Sequence, residues 1–380
     1  MNFSFPALRR FPDVEAPNLQ AWDATDELLV QRALAAEAAG DEITVIGDEY
    51  GAITLALADA GIRGIRAHQD LATGRRALAR NAAALGVSVD AESFVEHELD
   101  SDLLEGARLV LLQLPKSLAE LEEIADAVAR WAAPDVTLVA GGRVKHMTLA
   151  QNEVLGRHFD LVQPQRAERK SRLIVATGPR PAPEEPPYPV SSVVEVPGAG
   201  PITLVAHGGA FAGAKLDIGT RALLEVLSSD VQADAAGRTV IDLGCGTGAL
   251  AATYALAHPE AGIIATDRSA AAAASARATM AVNGVADRVT VTHDDAGSEI
   301  PDRTADLILL NPPFHLGASI HTGAADRLFE AAGRLLKPGG ELLTVYNSHL
   351  AYKQQLVRAV GPTEQLHRTP KFTVTRSVRR

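Results

Sequence analysis

The chain has 380 residues, 47% hydrophobic and 22% charged, with a formal net charge of −11. Length and composition leave room for two ordinary globular domains and exclude a disordered or fibrous chain, and the acidic balance argues against non-specific coating of nucleic acid. A single cysteine excludes an internal disulfide and any multi-cysteine metal site.

In chain order, the opening MNFSFPALRRFPDVEAP carries prolines and charges where a secretory signal would have an apolar core, so a cytoplasmic protein is expected. No apolar stretch reaches the roughly 18–20 uncharged residues of a membrane helix, so no membrane partner is expected either. Short β-branched or leucine-rich runs then predict strands over residues 43–47, 64–68, 109–113, 136–140 and 173–176, separated by alanine- and leucine-rich helical stretches. The segment TGPRPAPEEPPYP, from Thr177 to Pro189, is dense in proline, which fixes φ and removes donors, and it reads as an extended linker. Beyond it strands are predicted over 239–243, 262–266, 289–292, 307–310 and 341–346. Strands alternating with helices predict an α/β fold, a mostly parallel sheet with helices on both faces in each half. The domains are placed at residues 1–178 and 190–380, with the linker at 179–189. Basic clusters at residues 166–172 and 368–380 read as solvated surface.

The halves also resemble each other, which points to a domain duplication. Thr44-Val45-Ile46 precedes Gly51-Ala52 as Thr239-Val240-Ile241 precedes Gly248-Ala249. Ala84-Leu85-Gly86-Val87 matches Val282-Asn283-Gly284-Val285, and the run from Leu109 to Lys116 matches that from Leu307 to Phe314.

Val240-Ile-Asp-Leu-Gly-Cys-Gly-Thr-Gly-Ala-Leu250 is a strand entering a G-x-G-x-G loop and then a helix. Gly244, Gly246 and Gly248 allow a sharp turn and close approach of a ligand. A dinucleotide fold uses a similar loop, but its G-x-G-x-x-G spacing is not matched, and Asp242 suits a cationic ligand better than a pyrophosphate. About 20 residues on, Asp267 at the second strand tip can accept both ribose hydroxyls of an adenosine. At the third tip a carboxylate of Asp294 or Asp295 could reach an adenine amino group, and helix capping is an equally good reading. An acid, glycines and further acids at successive tips describe an adenosine with a positive centre, and S-adenosylmethionine fits. Cys245 reads as a small turn residue, because no nearby histidine is placed to activate it.

At the fourth tip stands NPPFH, residues 311–315. Together with the run from Asp242 to Gly248 and with Asp267, Asn311-Pro-Pro-Phe314 resembles the class I methyltransferases that alkylate an amino group conjugated to a ring or carbonyl. The resemblance implies two tandem Rossmann-like domains, the first degenerate, and catalytic roles for Asn311, Pro312 and Phe314. An exocyclic amine is a poor nucleophile because its lone pair is delocalised. The Asn311 side-chain oxygen and the Pro312 carbonyl can accept its two N–H bonds and aim the lone pair. Phe314 can stack on a base, worth about 1–3 kcal/mol. Pro313 and His315 line the substrate pocket in this reading, and no metal is needed.

The whole chain is similar to the two-domain ribosomal RNA guanine-N2 methyltransferases, whose first domain has lost its cofactor site. The resemblance rests on Leu8-Arg-Arg-Phe-Pro12, the run from Leu19 to Asp26, Pro115-Lys-Ser-Leu118, Phe211 with Leu216-Asp-Ile-Gly219, residues 311–315 and Lys371-Phe372. The opening segment and Lys371-Phe372 favour the large-subunit over the small-subunit branch. The resemblance further implies that residues 211–220 lie over the cofactor, with Phe211 at the substrate pocket and Asp217 and Gly219 as cofactor contacts; a helix N-terminus is the alternative for the last two. Asp295 is carried as the adenine contact. In the first half, Gln113-Leu-Pro-Lys116 replaces the catalytic tetrad, which leaves that half to bind RNA or to brace the other, with Arg9, Arg10, Lys116, Arg143 and Lys145 as candidate phosphate contacts. Methylation of another base or of a protein glutamine would use the same motif. A nicotinamide oxidoreductase would use Gly244–Gly248 and Asp267 but leaves Asn311–Phe314 without a role.

Overall fold

The computed structural model describes residues 3–36, 38–87, 92–229, 237–313 and 322–380. It divides into two compact units, Met1–Tyr188 and Pro189–Arg380.

In the first unit the strands β1 (Ile43–Ile46), β2 (Ile65–His68), β3 (Phe94–Glu96), β4 (Leu109–Gln113), β5 (Thr137–Arg143), β6 (Phe159–Pro164) and β7 (Ser171–Pro179) form one sheet in the order β3-β2-β1-β4-β5-β7-β6. The first five in that order run parallel, and β7 and β6 close the edge as an antiparallel pair. The second unit begins with a hairpin of β8 (Val190–Val196) and β9 (Gly200–Ala206). Its main sheet contains β10 (Thr239–Leu243), β11 (Gly262–Asp267), β12 (Val289–His293), β13 (Ala305–Leu310), β14 (Leu336–Asn347), β15 (Thr363–Arg368) and β16 (Phe372–Val378). Their order, β12-β11-β10-β13-β14-β16-β15, repeats that of the first unit.

These apolar runs form strands because both faces of each sheet are covered. Along β4, Leu109 and Leu111 pack with α1 (Ala24–Leu34), α2 (Ala52–Asp59) and α3 (Ala72–Leu85). Val110 and Leu112 pack on the other face with α4 (Ser101–Leu104), α5 (Leu118–Trp131) and α6 (Leu149–His158). In β13 the same alternation sends Leu307 and Leu309 towards α7 (Ile218–Ser229), α8 (Ala249–Ala257) and α9 (Ala270–Val282). Ile308 and Leu310 face α10 (Thr322–Leu335) and α11 (Lys353–Ala359). Each such side chain contributes roughly 1.5–3 kcal/mol relative to exposure. Neighbouring crossovers diverge between β10 and β13, and an open α/β sheet binds ligands at that point, outside the carboxyl ends of its strands.

The structure differs from the sequence reading in three places. β7 continues to Pro179, so residues 177–179 belong to a strand rather than the linker; Pro179 ends the pairing with β6 opposite Phe159, where a missing N–H is tolerated. The hairpin β8–β9, the short β3 and the antiparallel β6, β15 and β16 were not expected. The repeat is also shifted at the first strand. Gly47 N–H donates to His68 O at 3.0 Å and Gly244 N–H to Thr266 O at 2.8 Å, which makes Gly47 the counterpart of Gly244. Thr44-Val45-Ile46 therefore stands at Ile241-Asp242-Leu243, two residues on from the Thr-Val-Ile run that it matches in sequence.

The hairpin is held by a row of polar side chains on α9 and its C-cap, Asn283. Val205 N–H donates to Thr279 Oγ1 at 3.0 Å, His207 N–H to Ser275 Oγ at 2.9 Å and Thr203 N–H to Asn283 Oδ1 at 3.0 Å. Helix positions four apart thus meet alternate residues of a strand. In the first unit Asn81 of α3 does the same for the segment before α1: its Oδ1 accepts from Arg9 N–H at 3.0 Å and its Nδ2 donates to Arg9 O at 2.9 Å. Among the described residues no helix is long and apolar enough to cross a membrane.

Candidate active site

β10 runs into the glycine loop, and Gly246 and Gly248 both lie in the left-handed region, at φ +53° and +79°. The two serve different ends. A Cβ on Gly246 would meet nothing within 4 Å, as would one on Gly244, so the outer side of the loop is an open cradle. A Cβ on Gly248 would come within 2.6 Å of Met280 Cε and 3.1 Å of Ala276 Cβ, so this glycine lets α8 pack against α9.

Asp242, 1% exposed, sits beneath the cradle. Its Oδ2 accepts the Ala251 N–H of α8 at 3.0 Å, while its Oδ1 is buried without a hydrogen-bond partner among the described residues. Burial, aided by nearby Asp267, pushes its carboxyl up to about 7. An orphaned buried carboxylate oxygen beneath an open cradle fits a ligand with a cationic end. Asp267 ties the tip of β11 to the loop, its Oδ2 accepting Gly246 N–H and its Oδ1 Ser269 N–H, both at 2.9 Å. The third tip separates its two aspartates. Asp294 is buried and structural, its Oδ1 accepting the Ser298 hydroxyl at 2.6 Å and its Oδ2 Glu299 N–H at 2.9 Å. Asp295 forms an ion pair with Arg327 of α10 at 2.6 Å. Cys245 is buried, and burial beside Asp267 and Asp242 raises its thiol well above the ordinary value, so it is no thiolate.

At the end of β13, Asn311 lies against the N-terminus of α7. Its Nδ2 donates to Asp217 Oδ2 at 3.1 Å and to Thr220 Oγ1 at 2.9 Å. Its Oδ1 is buried with no partner among the described residues. Asp217 Oδ2 also accepts Gly219 N–H at 2.8 Å and Thr220 N–H at 3.3 Å, the pattern of a helix cap. Gly219 is small because space is short: a Cβ there would lie 3.2 Å from Asn311 Oδ1, 3.0 Å from Asp217 Oδ2 and 3.3 Å from Phe372 Cε1. Asp217 and Gly219 are thus a helix N-terminus that abuts the fourth tip. Pro312 is buried and Pro313 exposed. Phe314 and His315 lie outside the described residues. Phe211 is 70% exposed in the loop between β9 and α7.

Thr220 and Arg327 were missed in the sequence. Thr220 is 91 residues from Asn311 and carries no local signal for the contact. In the first unit, Arg10 stacks on the Tyr50 ring at 4.6 Å and binds Asp13 at 3.0 Å, and Arg143 faces Asp23 at 3.7 Å, so both are engaged within the fold. Among the described residues no group of three or more His, Cys, Asp or Glu side chains could hold a metal.

The methyltransferase small domain model matches residues 201–376, and the RLMG N-terminal domain model matches residues 1–180. The ribosomal RNA large subunit methyltransferase G of Ectopseudomonas mendocina is 35% identical over 380 residues, covering 98% of each chain. The protein of the same name from Streptomyces avermitilis is 35% identical over 98% of this chain and 97% of its own. Among solved structures, the T. thermophilus 16S rRNA N2 methyltransferase RsmC, in complex with AdoMet and guanosine, superposes with a TM-score of 0.76 at 22% identity. That match covers 94% of this chain and 92% of the other, which shows a shared fold.

Proposed function

The chain belongs to the ribosomal RNA large subunit methyltransferase G family, and on that footing we propose that it methylates the exocyclic N2 amine of a guanine in large-subunit ribosomal RNA. The methyl donor is S-adenosylmethionine, which supplies an electrophilic methyl on a sulfonium centre. The observation that carries the reading is the buried Asn311 Oδ1, an acceptor with no partner among the described residues at the tip of β13, beside the glycine cradle.

In this reading Asp242 sits under the cationic end of the donor, Gly244, Gly246 and Gly248 shape the cradle, and Asp267 and Asp295 take the ribose and adenine ends. Asn311 Oδ1 and the Pro312 carbonyl accept the two N–H bonds of the target amine. Accepting both N–H bonds would draw the nitrogen lone pair out of conjugation and orient it for attack on the donor's methyl, and the surplus proton of the alkylated nitrogen would pass to water. Pro313 and Phe211 are assigned to the base pocket, and the same role is proposed for Phe314 and His315, which lie outside the described residues. The catalytic domain spans residues 190–380, and residues 1–178 contact RNA or brace it. The cytoplasm is where such a protein meets its substrate.

The test is transfer of labelled methyl from S-adenosylmethionine to ribosomal RNA taken from cells lacking the protein. Label is expected in large-subunit RNA, as N2-methylguanine. Label in small-subunit RNA would move the target to the other subunit, and label in a protein fraction alone would sink the RNA assignment.

A further inference from the structure

We infer that Asp217 is a positioning residue for the target-amine acceptor, fixing which end of the Asn311 amide faces the substrate; this rests on the catalytic role proposed for Asn311. An amide can present either an oxygen or an NH2 group, and only the oxygen can accept from an amine. The choice is made behind Asn311. Asp217 Oδ2 lies 3.1 Å from Asn311 Nδ2, and a carboxylate oxygen accepts but does not donate. Flipping the amide would set Oδ1 against that carboxylate, acceptor to acceptor. Thr220 Oγ1, at 2.9 Å, takes the second hydrogen of Nδ2 but could serve either orientation, so it supports the choice without making it. Both donors of Nδ2 are thereby used, and Oδ1 remains as the end without a partner among the described residues.

Asp217 is itself fixed. The same Oδ2 caps α7 through Gly219 N–H and Thr220 N–H, so the helix N-terminus holds the carboxylate and the carboxylate holds the amide. A side chain on Gly219 would crowd both at 3.0–3.2 Å. One oxygen thus links a helix start to the tip of a strand 94 residues further along the chain.

The test uses two substitutions that both keep a good cap. Asp217→Asn leaves a carbonyl oxygen able to occupy the Oδ2 position and should retain activity within about threefold, with the cap and amide contacts kept. Asp217→Ser caps α7 with a shorter side chain that no longer reaches Asn311, and its kcat should fall on the order of a hundredfold. KM for S-adenosylmethionine and the melting temperature should be unchanged in both. A second readout does not depend on the substrate: the side-chain Nδ2–H signals of Asn311 in the full-length protein, identified by their loss in Asn311→Ala. These should be protected from hydrogen exchange in the wild type and in Asp217→Asn, and unprotected in Asp217→Ser. Unprotected wild-type signals, or equal protection in Asp217→Ser, would overturn the inference whatever the substrate proves to be. So would a matching loss of cofactor affinity in both variants, which would make Asp217 a charged cofactor contact. If wild-type protein methylates no ribosomal RNA but the protection pattern holds, the substrate reading fails and the inference stands.

Discussion

The two units share one strand order and differ in what stands at the strand tips. In the second unit the first-strand acid, Asp242, spends one oxygen on α8 and leaves the other unpartnered among the described residues. In the first unit Val45 occupies that position, and the acid has moved into the loop as Asp48. Both of its oxygens cap α2, accepting Ile53 N–H at 3.1 Å and Thr54 N–H at 2.7 Å. Glu49 replaces the open Gly246, and Gln69 replaces Asp267. At the fourth tip Gln113 Nε2 binds Asp26 of α1, the counterpart of Thr220, at 2.5 Å. Burial pushes Asp26 up to about 8, helped by Asp48 nearby. The first unit turns these acids onto its own backbone and side chains, whereas the second holds acceptors in reserve. A fold and the residues at its strand tips are therefore separable: the contact from the fourth tip to a helix start recurs at Gln113 although the residues around it differ.

The largest test of that contrast compares the two amides. Asn311→Ala should lower kcat by about 10²–10³-fold, the range seen when a buried polar group serving the transition state is removed, with cofactor affinity nearly intact. Gln113→Ala should leave activity unchanged, and a comparable loss there would make the first unit catalytic. At the second tip Asp267→Ala should weaken cofactor binding by about 10–100-fold, as for loss of hydrogen bonds to a charged group, while Gln69→Ala should not. Calorimetry should give one cofactor per chain, and a second bound molecule would break the comparison outright.

The smallest effect is in pH. Asp242 goes from 3.8 to about 7 on folding, so its contribution to stability is present below pH 4 and is lost as pH rises through 7. A cationic ligand relieves that loss by favouring the carboxylate. Cofactor affinity should rise between pH 6 and 8 by roughly threefold to tenfold, and Asp242→Asn should flatten the rise. A flat wild-type profile would remove Asp242 from the cationic end of the site.

Most of the parallel strands were legible as apolar runs buried on both faces, as in Leu307–Leu310, but β3, only Phe-Val-Glu long, was too short to show such a run. Of the antiparallel strands β7 was legible at residues 173–176, whereas β6, β15 and β16 were not: β16, Phe-Thr-Val-Thr-Arg-Ser-Val, mixes hydroxyls and an arginine into a strand where Thr373, Arg376 and Ser377 meet Ser348, Glu364 and Thr363. The hairpin had a usable signal, Val196-Pro-Gly-Ala-Gly200 between two alternating runs, which marks a turn. Asp242, the glycines, Asp267 and Asn311 stand out in the sequence because the ligand chemistry proposed for them restricts residue types, and the structure places each of them at a strand tip or in the loop after it. The partners that set their orientation do not stand out, because Asp217 and Thr220 come to Asn311 from a helix far back in the chain and their local pattern is only that of a cap. That Asp294 is the buried, backbone-bound member of its pair likewise shows only in the side-chain geometry.

The row of Ser275, Thr279 and Asn283 along α9 and its C-cap has a consequence for how this protein can change. It fixes the backbone up to His207, and the cap at Asp217 fixes the start of α7; between them Ala210 and Ala214 are buried and Ser192 Oγ donates to Ala214 O, which leaves Phe211 and Ala212 as an exposed turn. Doubling the length of such a loop costs only about 0.6 kcal/mol in closure entropy. The turn at the exposed Phe211 can therefore be lengthened at little cost, which under the proposed role of Phe211 changes what the base pocket admits.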